Sequence, residues 1–274
     1  MNARPQVAAF DFDGTLTTGG SVWQFLIAMV GPARVVLTGG ALVTKLARAA
    51  IFGGTAADEA KEALFRRTLA GLSLEEIAPR ADAFGLVHYR RHARADVRAR
   101  LEWHRNQGHR LVLVSASPEL YVRGAGRELG VEDVVATRLE VGPDGLLTGR
   151  YDGRNCRGTQ KLARLEQWMR SSILVPETGD GADASHAGPK VDRPFLWAYG
   201  NSTGDVPLLA AADIGVDAGR LRRIGRLRRF TRLANLEGPD PPDASGTSDV
   251  SGTSDVSGTS DVSGTSDASS SAHR

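Results

Sequence analysis

Residues 8–21 read AAFDFDGTLTTGGS. The apolar run Val7 to Phe10 delivers two carboxylates, Asp11 and Asp13, and the chain then turns through Gly14 into Thr15. In an extended segment alternate side chains share a face, so Asp11 and Asp13 lie on the same side. Carboxylates at the end of a buried strand are costly to desolvate. A metal or a reaction is the usual reason to keep two of them there.

The pattern beyond this strand alternates. Residues 21–31, 33–52, 56–69 and 73–107 read mainly as helices, with turn signals at Gly31-Pro32, Gly53-Gly54 and Gly71 and no strand between them. HRLVLVSAS then supplies a strand at 110–115, and a helix runs from about Pro118 to Leu129. EDVVATRLEV and LLTGRY flank the turn Gly142-Pro143-Asp144-Gly145. A helix near 159–170, a strand FLWAYG at 195–200, a helix near 205–212 and a short strand IGV follow. Such alternation predicts an α/β fold, a doubly wound parallel sheet with helices on both faces. In that architecture ligands sit at the carboxyl ends of the strands. The groups expected there are Asp11, Asp13, Ser115, Asn201 and Asp205.

The 274-residue chain is 41% hydrophobic, enough for a sizeable core, but its end differs from its body. From Gly238 onward there is no aromatic residue, and the hexapeptide SGTSDV recurs. That composition cannot offset the entropy of ordering, so residues 237–274 read as a solvated, disordered tail. The tail holds seven of the 32 acidic and one of the 34 basic residues, leaving 25 against 33, about +8, in the body. A basic body attracts phosphates, nucleic acid or an anionic membrane surface. The single Cys156 excludes an intramolecular disulfide and a cysteine zinc cluster. The start of the chain lacks a signal-peptide pattern, and the apolar stretches at 22–30 and 35–52 are too short or are broken by Lys45 and Arg48. The expected location is cytoplasmic, with membrane association as an alternative.

DFDGTLT at 11–17, VSAS at 114–117, Lys161 and YGNSTGD at 199–205 together resemble the four motifs of the haloacid dehalogenase superfamily, in order and in spacing. The resemblance covers roughly residues 5–236 and is closest to the phosphoserine-phosphatase-like branch, subfamily IB. It implies a Rossmann-like core over 1–18 and 95–236, with an all-helical cap inserted at 19–94. It also implies a magnesium-dependent phosphomonoester hydrolase. In that reading Asp11 is the nucleophile that forms an aspartyl-phosphate, and Asp13 is the general acid and base. Thr15, Ser115 and Lys161 bind or orient the phosphate, and Asp11, the Asp13 backbone carbonyl, Asn201 and Asp205 hold the Mg2+.

Two positions depart from the family pattern. Asn201 stands where the branch usually places a directly ligating aspartate, which predicts weaker metal binding. Gly19-Gly20-Ser21 occupies the place of the glutamate that phosphoserine phosphatases use for the substrate ammonium, which argues against phosphoserine as substrate. A small-molecule or lipid head-group phosphate is the expected substrate, and a phosphotransferase using the same intermediate is an alternative. A second alternative is a peripheral membrane or anionic-surface binding protein. Its support is GRLRRIGRLRRFTRL at 219–233, which reads as a basic amphipathic helix with apolar residues at threefold spacing. No nucleic-acid reading motif is present. His88 and His92, flanked by arginines, read as an exposed helix face. The acidic loop residues Asp180 and Asp183 are the reserve candidates for the metal.

Overall fold

The computed structural model describes residues 4–40, 54–173, 193–219 and 226–236. Strand β1 (Gln6–Phe10) lies at the centre of a parallel sheet. It pairs on one side with β2 (Arg110–Pro118), Ala8 opposite Leu111, and on the other with β6 (Phe195–Gly200), Ala8 opposite Trp197. β3 (Asp133–Thr137), β7 (Ile214–Asp217) and β8 (Thr231–Arg232) complete the order β3-β2-β1-β6-β7-β8. β4 (Leu139–Val141) and β5 (Leu147–Tyr151) form a separate antiparallel hairpin around the expected turn.

The side-chain alternation of β1 divides the core in two. Ala8 and Phe10 face a cluster containing Phe12, Phe25, Leu113 and Tyr121, while Val7 and Ala9 face Val112, Cys156, Leu165 and Leu208. Each fully buried aliphatic or aromatic side chain contributes about 1.5–3 kcal/mol, so both faces of β1 commit it to the centre. Phe10 also stacks on Tyr199 of β6, ring centroids 4.5 Å apart.

Between β1 and β2 the described residues form helices α1 (Val22–Val30), α2 (Pro32–Gly40), α3 (Gly54–Thr68), α4 (Leu74–His92) and α5 (Ala95–Asn106). The expected helix over 73–107 is therefore two. The break falls where Ala93 bridges to Thr17 in antiparallel fashion, with Arg94 N donating to Leu16 O at 2.9 Å and Thr18 N to His92 O at 2.8 Å. At this doorway the buried Arg94 donates to Gly14 O at 2.9 Å and Ala218 O at 2.5 Å, and it pairs with Asp96.

Helices α6 (Glu119–Leu129), α7 (Thr159–Ser172) and α8 (Val206–Ala211) complete the winding. α4 and α6 cross at Gly85 and Gly124, each against the other helix's backbone, with no room for a Cβ.

Two sequence expectations are corrected. His88 does not lie on an exposed face: it is buried, its ring 5.3 Å from that of Phe84 and 6.2 Å from that of Phe12. The basic segment is not a helix over its described part. Residues Arg226–Arg229 make a short 3-10 turn, Leu227 is buried in the second core with Phe230 packed beside it, and Thr231–Arg232 join the sheet against β7. Over the described part, Leu227 and Phe230 pack into the second core instead of forming an outward apolar stripe. No helix among the described residues is long and apolar enough to cross a membrane. The repeat tail, Asp180 and Asp183 lie outside the described residues.

Candidate active site

The site forms where β1, β2 and β6 end and α7 begins. Asp11 follows β1 directly, its N–H donating to Tyr199 O at 2.9 Å. Gly14 then turns the chain at φ 79°, and a Cβ there would collide with the Asn201 side chain. This turn aims the Thr15 hydroxyl back at Asp11 Oδ2, 3.0 Å away, and 3.3 Å from Asn201 Oδ1. Thr15 therefore meets both Asp11 and Asn201.

Lys161, in the first turn of α7 and fully buried, donates to Asp11 Oδ1 at 2.6 Å and Asp205 Oδ1 at 2.5 Å. The other oxygen of Asp205 accepts from Ser202 N at 2.9 Å, Ser202 Oγ at 2.7 Å and Asn201 N at 3.2 Å. Both Asp205 oxygens are thus engaged by the protein. Asp13 Oδ2 accepts from Ser21 Oγ at 2.9 Å and Ser117 Oγ at 2.5 Å, while its Oδ1 is buried without a partner among the described residues. Since Ser21 gives its hydrogen to Asp13, the 2.6 Å contact between Ser21 Oγ and Tyr121 OH requires Tyr121 to donate. Ser115 Oγ accepts from Ser117 N at 3.0 Å.

Asp11, Asp13, Ser115, Lys161, Asp205 and Arg157 line one cavity of about 100 Å³. At roughly 30 Å³ per water, that space suits a few waters or one phosphoryl group, with any larger organic part outside. A larger cleft, about 370 Å³, lies beside Arg138, Arg164 and Trp168 and holds none of the sequence-predicted site residues.

The electrostatics follow from burial. Desolvation, then repulsion from Asp205, raises Asp11 to about 7 against the pull of Lys161. Burial also raises Asp13, in spite of the Ser117 and Ser21 hydrogen bonds. Burial works against the Lys161 ammonium, but Asp11 and Asp205 override it and hold its pKa above the ordinary lysine value. For Asp205, Lys161 and Ser202 overcome desolvation and keep the carboxyl below its usual range.

All seven sequence-predicted residues, Asp11, Asp13, Thr15, Ser115, Lys161, Asn201 and Asp205, converge on this site. The sequence reading missed Ser21 and Ser117, which hold Asp13, Tyr121, which meets Ser21, and the cavity-lining Arg157. Ser117 was within reach, as the last residue of the VSAS motif. The others had no local signal.

The model of haloacid dehalogenase-like hydrolases matches residues 8–210. A Caulobacter vibrioides protein named CicA is 33% identical over 213 residues, 78% of this chain and 86% of CicA. A solved protein of unknown function from Bordetella pertussis Tohama I superposes with a TM-score of 0.60 at 23% identity, over 78% of this chain and 90% of that one. A phosphoserine phosphatase solved as a phospho-aspartyl intermediate analogue superposes at 0.51 with 18% identity, over 78% and 86% of the two chains. The family match over most of the body, joined to the identity with CicA, makes this chain a member of the haloacid dehalogenase-like hydrolases.

Proposed function

We propose that the protein hydrolyses a phosphate monoester through a phosphorylated Asp11. The observation that carries this reading is the shared cavity. Asp11 is held by Lys161 and Thr15, and Asp13, two residues on, lines the same small space, its Oδ2 held by Ser21 and Ser117.

In the first step an Asp11 carboxylate oxygen attacks phosphorus and the ester P–O bond breaks. The leaving oxygen takes the proton that Asp13 carries. The raised Asp13 pKa favours that protonated form, and Ser21 and Ser117 keep the group in place. In the second step Asp13, now a carboxylate, removes a proton from water. The water attacks phosphorus, and inorganic phosphate leaves with Asp11 restored. Ser115 would hydrogen-bond a phosphoryl oxygen, while Lys161 draws Asp11 toward its ionised form against burial and Asp205.

The donor set fits a magnesium ion. Asp11 Oδ2 and Asn201 Oδ1 are both hard oxygens and meet at the one Thr15 hydroxyl. Asp11, Asn201 and the Asp13 backbone carbonyl would hold the ion, which would supply positive charge to the phosphoryl oxygens. Asp205, with both oxygens taken, moves from direct ligand to the group that positions Lys161 and the 201–205 turn.

A panel of phosphomonoesters assayed with and without magnesium tests the reading. Asp11→Asn should abolish turnover and covalent phosphate incorporation with the fold intact, and hydrolysis near the wild-type rate would sink the mechanism. Asp13→Asn should lose most activity on poor leaving groups and less on good ones, which need little protonation.

A further inference from the structure

We propose that Arg157 is a second phosphate anchor, the cation that meets the phosphoryl oxygens left over by Lys161. This deepens the proposed function and rests on it for the identity of the reacting group.

Lys161 is already committed. It spans Asp11 and Asp205 at 2.6 and 2.5 Å, so its charge is spent on the protein's own carboxylates. An incoming phosphoryl group adds about two negative charges to a cavity that already holds three acids, Asp11, Asp13 and Asp205. Arg157 is the cavity-lining cation whose side chain makes no hydrogen bond or ion pair among the described residues. A guanidinium also suits the task, since its fork meets two phosphate oxygens at once.

The arginine is positioned by its neighbours. Gly158 N donates to Gly204 O at 2.9 Å, tying the start of α7 to the 203–205 turn, and Lys161 N donates to Gly158 O at 3.1 Å. Arg157 and Lys161 are therefore presented from one short, doubly tethered segment. The Arg157 stem lies across Gly204, where a Cβ would come within 2.9 Å of both its Cγ and its Nε. A second cation, Lys61 of α3, stands close enough to be affected by Arg157. Burial foremost lowers Lys61 to about 8, and repulsion from Arg157 adds to it against the pull of Asp58 and Asp13. Two like charges beside a small cavity, one of them unpaired, favour an anion there.

The test is binding of inorganic phosphate to the full-length chain by calorimetry, with magnesium present, for wild type, Arg157→Gln and Arg157→Lys. Steady-state kinetics and thermal melts are run in parallel. Arg157→Gln should weaken phosphate binding at least tenfold and raise KM for the best monoester, with the melting temperature unchanged. Arg157→Lys should recover part of the loss. Phosphate affinity in Arg157→Gln equal to wild type, or no phosphate binding by wild type, overturns the proposal. If wild type binds phosphate but turns over no monoester, the hydrolase reading fails, while Arg157 is still judged on the phosphate affinities. If turnover is sound and the glutamine variant binds phosphate normally, Arg157 alone falls.

Discussion

Lys61 donates to the carbonyl oxygen of Ala116 at 2.8 Å, from a helix of the insertion into the turn between Ser115 and Ser117. The same ammonium reaches Asn155 Oδ1 at 3.0 Å, and Asn155 holds Asp58 of the same helix at 2.6 Å. The loop that carries Ser115 and Ser117 is thus fixed partly from outside the sheet. Lys61→Met should lower kcat for a phosphomonoester by about tenfold, in line with loss of a charged hydrogen bond worth about 1.5–3 kcal/mol. KM should change less, because Arg157, Ser115 and Lys161 remain. An unaltered kcat would show that the loop holds itself.

Asn201 offers Oδ1 beside Asp11 but brings no charge. Asn201→Asp adds a carboxylate to the proposed metal ligands, so half-maximal activity should need on the order of tenfold less magnesium. Turnover at saturating metal need not rise, since added negative charge opposes the phosphoryl group. Titrating magnesium against initial rate for both proteins decides the matter, and a midpoint that stays put or moves upward removes Asn201 from the ligand set.

The crossing of α4 and α6 depends on the missing Cβ of Gly124, which would otherwise strike the carbonyl of Asp82. A backbone atom cannot swing aside as a side chain can. Gly124→Ala should therefore destabilise the protein by about 1–3 kcal/mol or more, in spite of alanine's better helix propensity. Denaturant unfolding measures this. A variant as stable as wild type would mean that the helices separate without cost.

His104 is sealed under the sheet, with Nε2 2.7 Å from Tyr199 OH and Nδ1 2.7 Å from His109 Nδ1. Arg100 Nε donates to the same Tyr199 oxygen at 3.0 Å. Burial, then His109 and Arg100, lowers the His104 pKa from 6.5 to about 3. Between those values the unfolded chain binds a proton that the folded chain refuses. Stability is then complete above pH 6.5 and falls as pH drops toward 3, by about 1.4 kcal/mol per pH unit for this proton. His104→Gln, which can still meet Tyr199, should flatten the slope of unfolding free energy between pH 6 and about 4 by one proton. An unchanged slope would place the acid sensitivity elsewhere.

The sheet and the acids were legible because their signals are local. Val7 to Phe10 is apolar on both faces, and Asp11 and Asp13 make no sense at its end without a task. Lys161 could be picked out only through its place among the four motifs, since a lysine on a helix is ordinary by itself. Ser21 and Tyr121 stand 8 and 100 residues from their partners Asp13 and Ser21, and nothing in either segment encodes that meeting. His88 misled because its arginine neighbours describe the solvent side of α4, while the histidine faces Phe12 and Phe84. The basic segment misled for a related reason. Threefold apolar spacing suits a helix on paper, but an open edge of β7 was available, and the chain paired with it.

The antiparallel contact of Thr17 with Ala93 means that everything between them leaves and re-enters the sheet through adjacent chains. A segment whose two ends touch can be lengthened, shortened or exchanged as a cassette without disturbing the register of β1 against β2. Arg94, clamped to Gly14 and Ala218, keeps that threshold fixed to the Gly14 turn whatever is attached beyond it. Under the proposed function, replacing these helices would change the substrate while the chemistry proposed at Asp11 stays where it is.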